Sequence, residues 1–63
     1  MSVEIEDVEV IHHTDNAILC DIDGFGDVWI PNNHVTDDSE VWKTGQIGTL
    51  VITDWIAGKK GLD

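Results

Sequence analysis

Apolar and acidic residues alternate along the first ten positions, and this alternation predicts a β-strand with one irregularity. Val3 and Ile5 alternate with glutamates, and the pattern resumes at Val8 after slipping by one residue at Asp7. A period of two with a one-residue slip is typical of a strand that contains a β-bulge. We therefore expect the chain to begin with a bulged strand, followed by a polar, turn-like segment at 12–16.

The next two apolar stretches predict a β-hairpin. Gly24-Phe25-Gly26 separates them, and two glycines supply the positive φ values that a tight reversal needs. A three-residue loop at this point places Ile22 opposite Val28 and Cys20 opposite Ile30, so that all four side chains share one face. The predicted strands are residues 17–23 and 27–30.

Shorter elements are predicted in the middle of the chain. Pro31 lacks a backbone N–H, so the third strand ends there or lies at a sheet edge. A short strand or a 3₁₀ turn is expected around His34-Val35, and Val41-Trp42 is expected to add a few paired residues. The β-branched run 49–52 predicts the last strand.

The C-terminal residues carry the start and stop signals of one short helix. Thr53 is a suitable N-cap, and Asp54 lies where the helix dipole favours an acid. Two lysines close the helix, Gly61 suits the position after its end, and Leu62 is expected to fold back on the helix.

These elements predict a single, mainly β domain over residues 1–63. Short strands separated by turn signals indicate a small SH3-like or OB-like barrel or sandwich of about five strands with one C-terminal helix. The residues expected in the core are Ile18, Cys20, Ile22, Val28, Ile30, Leu50, Ile52 and Ile56.

Charge changes the picture most. The chain has 13 acidic residues against 3 lysines, and its formal net charge is −10. Nucleic-acid backbones and anionic membranes are bound through clustered Lys or Arg, so direct binding to either is disfavoured. A protein partner with a basic patch is attracted instead, although an acidic surface also serves solubility alone.

Cysteine usage and hydropathy bear on the compartment. Cys20 stands alone, so it forms no intramolecular disulfide, which fits a reducing cytoplasm. The first ten residues lack the basic segment of a signal peptide, and no apolar run has the length of a membrane span.

Several segments of the chain together resemble a known family. They are Asp21-Ile22-Asp23-Gly24, Trp29-Ile30-Pro31, residues 37–42, Gly48-Thr49-Leu50-Val51-Ile52, and Trp55-Ile56-Ala57 with Gly61-Leu62. This pattern, from about Ala17 to Leu62, resembles short proteins of bacteriophages and prophages. The resemblance implies an origin, and with it the cytoplasm of a bacterial host, but no active site. Members of that family are expected often to have a basic or polar Lys/Arg-Ser pair after the proline, where this chain has Asn32 and Asn33.

Metal and catalytic sites find little support in the sequence. Asp21, Asp23 and Asp27 surround a glycine turn, but the glycine and glutamate positions of a calcium-binding EF-hand loop are not matched. Adjacent His12 and His13 point to opposite faces of a strand, which is unlike zinc-ligand spacing. No nucleophile motif or phosphate loop is present. We therefore expect a protein without metal, cofactor or enzymatic activity.

Two groups of residues are candidates for partner binding. Trp29 points away from the apolar face of the hairpin together with Leu19. Trp29 either packs beneath the terminal helix, which is the favoured interpretation, or is exposed as an anchor for a partner. The acidic loop with Asp37, Asp38 and Glu40 either docks to a basic partner or is a solvated loop whose polar side chains cap a turn.

Three functions are compatible with the sequence. The leading hypothesis is a non-enzymatic phage accessory protein that binds a protein partner, in its sharpest form by blocking a host nucleic-acid-binding protein. The alternatives are an OB-like single-strand binder and a structural or assembly protein. A homodimer would join through an apolar patch containing Leu19 or Trp29, because glutamates on the first strand and Pro31 discourage pairing at the expected sheet edges.

Overall fold

The computed structural model describes residues 1–62 and contains one antiparallel sheet, a 3₁₀ turn and a helix. The strands are β1 (Ser2–His13), β2 (Ala17–Ile22), β3 (Gly26–Pro31) and β4 (Ile47–Thr53). The 3₁₀ turn covers Asn32–His34, and the helix α1 covers Asp54–Lys60. The four strands lie in the order β3-β2-β1-β4.

The predicted bulge in β1 is confirmed. Ile5 pairs with Leu50 and Val8 with Gly48, so three steps along β1 are matched by two along β4. The extra residue allows Asp7 to adopt a left-handed backbone conformation, with φ at 59°. Aspartate tolerates this conformation better than most residues with a side chain.

A second bulge in β1 was not predicted. Val10 pairs with Cys20 whereas His12 pairs with Leu19, which leaves one unmatched residue on β1. The strand also runs to His13, so the prediction of a turn from residue 12 was wrong. The second slip turns the side chain of His12 to the face opposite the core, to which Leu19 on β2 already points.

The hairpin of β2 and β3 is confirmed, but its predicted register was wrong. Ile22 pairs with Gly26, Cys20 with Val28, and Ile18 with Ile30. The loop therefore begins one residue earlier than expected, at Asp23, and the register differs by two residues. Because the side-chain period of a strand is also two, every apolar residue keeps its predicted face.

The core lies between the inner face of the sheet and α1. Seven of the eight residues predicted for it are buried, and Val28 is partly buried against them. The complete set of buried residues in this cluster is Val8, Val10, Ile18, Cys20, Ile22, Ile30, Val41, Leu50, Ile52, Ile56, Ala57 and Leu62.

The predicted signals of α1 are confirmed. The Thr53 hydroxyl accepts a hydrogen bond from the Ile56 N–H at 3.4 Å, and Gly61 has the left-handed φ of 73° that ends the helix. Leu62 is buried against the core, as expected from its position after the helix.

The outer edge of β4 is covered by the segment 35–40. Val35 forms a single β-bridge with Ile52, and the Thr36 N–H donates to the Val51 carbonyl at 2.9 Å. Polar side chains then replace a strand: Ser39 Oγ accepts from the Val51 N–H at 3.1 Å. The Glu40 Oε1 atom likewise accepts a hydrogen bond from the Thr49 N–H of β4 at 2.8 Å.

Two expectations about the sheet were therefore wrong. Val41-Trp42 does not pair within residues 1–62, so the described sheet has four strands and not about five. β1 lies between β2 and β4, so it is not an edge. The edges are β3, where Pro31 was expected, and β4. No closed barrel is found among residues 1–62, since β3 and β4 do not pair with each other there, so the SH3-like or OB-like barrel stays a prediction.

Replacing Ser39 should reveal how much the covered edge stabilises the fold. Ser39→Ala leaves the buried Val51 N–H without an acceptor, and we expect a loss of about 1–3 kcal/mol in the free energy of unfolding. Urea denaturation measures the loss, with exposed Asp38→Ala as the control. Equal effects of the two substitutions would show that the Ser39 hydroxyl does not stabilise this edge.

Candidate partner-binding surface

An aromatic row crosses three strands on the outer face of the sheet. His12 pairs with Leu19, and Leu19 pairs with Trp29. Trp29 is 43% exposed, and the His12 ring meets it edge to face with the ring centroids 6.1 Å apart. We call these three residues, two aromatic rings with the aliphatic Leu19 between them, the aromatic row.

Trp29 does not pack beneath the helix, so the favoured prediction for it was wrong. Helix α1 contacts β4 and β1, and its residues Ile56 and Ala57 belong to the core. Trp29 lies on the other face of the sheet and on the edge strand farthest from β4. Its partial exposure agrees with the alternative, an exposed side chain, whereas a role as an anchor stays a prediction.

A row of like charges lies beside the aromatic row. Glu9 pairs with Asp21, and Asp21 pairs with Asp27, so three carboxylates cross β1, β2 and β3 side by side. All three are exposed. We call them the acidic row. Like charges directly opposite each other destabilise a sheet, so this arrangement opposes folding.

The acidic loop is a separate feature. Asp37 and Asp38 are exposed, but the Glu40 carboxylate is bound to the Thr49 N–H on β4. The loop follows the β4 edge, whereas Leu19 and Trp29 lie on β2 and β3 at the other side of the sheet. The sheet therefore does not bring the two predicted groups of site residues together.

A shallow cavity of about 390 Å³ lies beside this loop. Its walls are formed by Asn32, Val35, Thr36, Asp37, Ser39 and Trp42. The Thr36 hydroxyl oxygen is buried without a hydrogen-bond partner among the described residues, whereas Trp42 is 57% exposed. The lining comes from one continuous stretch, residues 32–42, but the cavity was not predicted, because the path of that stretch depends on the fold.

The side chain of Asn32 connects two turns of the backbone at one end of the sheet. Its side-chain amide donates to the carbonyls of Thr14 and Asp15, at 3.3 and 3.1 Å. These bonds connect the end of β3 to the turn between β1 and β2. The residue thus orders the turn next to the aromatic row.

Two histidines form specific contacts that the sequence did not reveal. His13 Nδ1 accepts from the Thr44 N–H at 3.0 Å, which requires the proton of the neutral ring to be on Nε2. His34 stacks on Trp55 with ring centroids 4.9 Å apart, and Lys59 Nζ lies 4.9 Å from the same Trp55 ring. Within residues 1–62, no group of three His, Cys, Asp or Glu side chains is placed to hold a metal ion.

Cys20 is buried in the core, as predicted. Burial raises the pKa of its thiol from 9.0 to about 11, because the apolar surroundings disfavour the thiolate. The thiolate is the nucleophilic form, so this cysteine is protonated and unreactive near neutral pH.

Comparisons with protein-family models, with curated proteins and with solved structures found no match. Among the described residues, no helix is long and apolar enough to cross a membrane.

Neutralising the middle of the acidic row should stabilise the protein. Asp21→Asn removes repulsion with carboxylates on both sides, and we expect a gain of about 0.5 kcal/mol at low salt. The gain should shrink at about 1 M sodium chloride, where charges are screened within about 3 Å. Thermal melts measure it, with Asp15→Asn in the exposed turn as a control of equal charge. A gain no larger than that of the control would contradict local repulsion.

The raised pKa of Cys20 predicts a loss of stability at alkaline pH. The unfolded chain releases the thiol proton above about pH 9, whereas the folded chain holds it until about pH 11, so stability falls across this window. At about pH 10.5 we expect a loss on the order of 1–2 kcal/mol relative to pH 8. Urea unfolding at both pH values measures it. A Cys20→Ala variant should lack this component, and an identical slope in both proteins would refute the assignment.

Proposed function

We propose that this protein is a non-enzymatic accessory module that binds a protein partner with a basic surface. The observation that carries the proposal is the outer face of the sheet, where the aromatic row, with its two rings exposed and Leu19 half-buried, lies beside the acidic row. The proposal keeps the phage or prophage origin that the sequence resemblance implies.

The aromatic row supplies the anchor. Tryptophan is among the side chains that contribute most to binding at protein interfaces, because it buries a large apolar area at low conformational cost. The edge-to-face contact with His12 restrains the Trp29 ring before binding. A restrained, exposed tryptophan loses less entropy on binding than a mobile one.

The acidic row supplies selectivity for charge. A net charge of −10 attracts basic partners over distance, and the row from Glu9 to Asp27 places three of these charges next to the anchor. Repulsion within the row is relieved when a positive surface covers it. The arrangement thus opposes folding of the free protein and favours the bound state.

In its sharpest form, the proposal is that the partner is a nucleic-acid-binding protein of the host. A basic surface built to contact phosphates would accept a row of carboxylates, and binding would block it. This form predicts that the protein displaces single-stranded DNA from such a partner.

An OB-like binder of single-stranded nucleic acid is the alternative. Trp29, Trp42 and Trp55 are all exposed, and exposed aromatic side chains stack on bases. The SH3-like or OB-like barrel stays part of this proposal, and the two bulges of β1, which bend a strand, support it. An assembly protein that associates with itself is the third proposal, and the aromatic row would be its contact.

Titration with a basic peptide tests the leading proposal. The probe is an acetylated and amidated octapeptide of alternating lysine and valine, and the readout is the three tryptophan indole N–H signals in NMR spectra. We expect the Trp29 signal to move and the Trp29→Ala variant to bind at least about tenfold more weakly, since an anchor contributes about 2 kcal/mol or more.

The matched control is Trp42→Ala, which removes a somewhat more exposed tryptophan, at 57% against 43% for Trp29, elsewhere on the surface. Unchanged affinity in this control, together with a folded Trp29→Ala protein, supports the proposal. Absence of peptide binding, or equal weakening in both variants, contradicts it. Binding of a single-stranded oligonucleotide at low salt would favour the OB-like alternative.

A further inference from the structure

The hydrogen bonds of the β2–β3 hairpin show which backbone groups of β3 point away from the sheet. The Ala17 carbonyl accepts from the Thr14 N–H at 2.8 Å, so the backbone of Ala17 faces β1. Its partner in β3 is Pro31. The next hydrogen bond between the two segments lies one residue beyond this pair, where the Asn32 N–H donates to the Asn16 carbonyl at 2.8 Å. Ala17 and Pro31 are therefore a non-hydrogen-bonded pair.

Antiparallel pairs alternate, so this assignment fixes the rest of β3. Val28 and Ile30 exchange hydrogen bonds with β2, whereas the N–H and carbonyl groups of Asp27 and Trp29 point to the outer edge. Within residues 1–62, no strand or side chain pairs with this edge. Pro31 has no N–H and ends the open stretch.

The two edges of the sheet are treated differently. The N–H groups of Thr49 and Val51 on β4 are bound by the side chains of Glu40 and Ser39. Among residues 1–62, the corresponding groups of Asp27 and Trp29 on β3 have no such cover. The uncovered edge carries the end of the aromatic row and the end of the acidic row.

We propose that the β3 edge binds an extended basic segment of the partner protein, which adds a strand to the sheet beside Asp27 and Trp29. The inference rests on the proposed function and specifies how the partner is held. Main-chain hydrogen bonds supply affinity in this mode of recognition, and alternate side chains supply specificity.

Charge identifies the occupant of this edge. A second copy of this chain would bring another net charge of −10 to the edge, and its β3 would place a second Asp27 along the same short stretch. Repulsion disfavours that pairing. A segment with lysine or arginine at alternate positions would instead place positive charges on the outer face, beside the Asp27 carboxylate and the exposed Trp29 ring.

The inner face of the added strand has a different requirement. Val28 is only partly buried, because it lies on the edge strand β3, which has no further strand on its outer side among residues 1–62. An apolar side chain on the added strand would cover it. The segment that fits best therefore alternates basic and apolar residues, with the basic ones on the face of Asp27 and Trp29.

Amide hydrogen exchange tests this inference with the same lysine–valine octapeptide. In the free protein the amides of Asp27 and Trp29 should exchange fast, whereas those of Val28 and Ile30 should be protected. Saturating peptide should slow exchange at Asp27 and Trp29 at least about tenfold. Peptide binding without this protection would overturn strand addition while leaving the proposed function intact.

Two modified peptides provide matched probes of equal charge. In one peptide the backbone amide nitrogen of every lysine carries a methyl group, and in the other that of every valine does. Each peptide therefore lacks the backbone N–H donors along one edge of the strand. We expect only one of them to bind about tenfold more weakly, because only one edge of an added strand faces β3. Equal affinities would overturn strand addition, whereas a lack of binding by the unmodified peptide would overturn the proposed function itself.

Two variants of equal charge, one at the β3 edge and one away from it, test the position of the added strand. Asp27→Asn should weaken the unmodified peptide several-fold more than Asp15→Asn, which removes the same charge from an exposed turn. Equal weakening by the two variants would show that only net charge attracts the peptide, and the position of the added strand would then be wrong.

Discussion

The bulge at Asp7 is the constraint on which the rest of the fold depends. Val3 and Ile5 face the core before it, and Val8 and Val10 face the core after it, although the two sets differ in parity. A regular strand would turn one set to solvent. The extra residue restores a single apolar face, and a domain this small has few other residues with which to form a core.

The same strand uses a second bulge to build the outer face. The slip after Val10 places His12 opposite Leu19, so the aromatic row begins in β1 and ends at Trp29 on the edge. One long strand with two bulges thus contributes residues both to the core and to the proposed binding surface. Bulges are common where a strand must redirect a side chain, and the position of His12 is such a case.

Local patterns in the sequence predicted the elements whose signals lie within a few residues. The bulge at Asp7, the helix with its cap at Thr53, and the buried face of the hairpin all depend on neighbouring positions, and all are confirmed. The hairpin register was wrong by two residues, because both registers bury the same side chains and the pattern alone does not separate them. Loop geometry at Gly24 and Gly26 decides between them.

Features that depend on distant contacts could not be predicted in this way. Ser39 and Glu40 look like parts of a solvated acidic loop, yet they bind the backbone of β4, ten or so residues along the chain. Trp29 was expected beneath α1, but the strand order places them at opposite ends of the sheet. Strand order is a property of long-range pairing, and hydropathy patterns carry no information about it.

The contrast between the two edges connects stability to the proposed function. An uncovered sheet edge exposes a protein to unwanted pairing with other chains. At β4 this chain avoids such pairing, because polar side chains bind the N–H groups of that edge. At β3, within residues 1–62, it instead leaves the outward backbone groups of Asp27 and Trp29 unpaired and places acidic and aromatic side chains beside them. Negative charge deters other copies of the chain, while a basic segment meets attraction at the same point. In the proposed function the edge is therefore selective by charge, because the same acidic residues repel other copies of the chain and attract a basic segment.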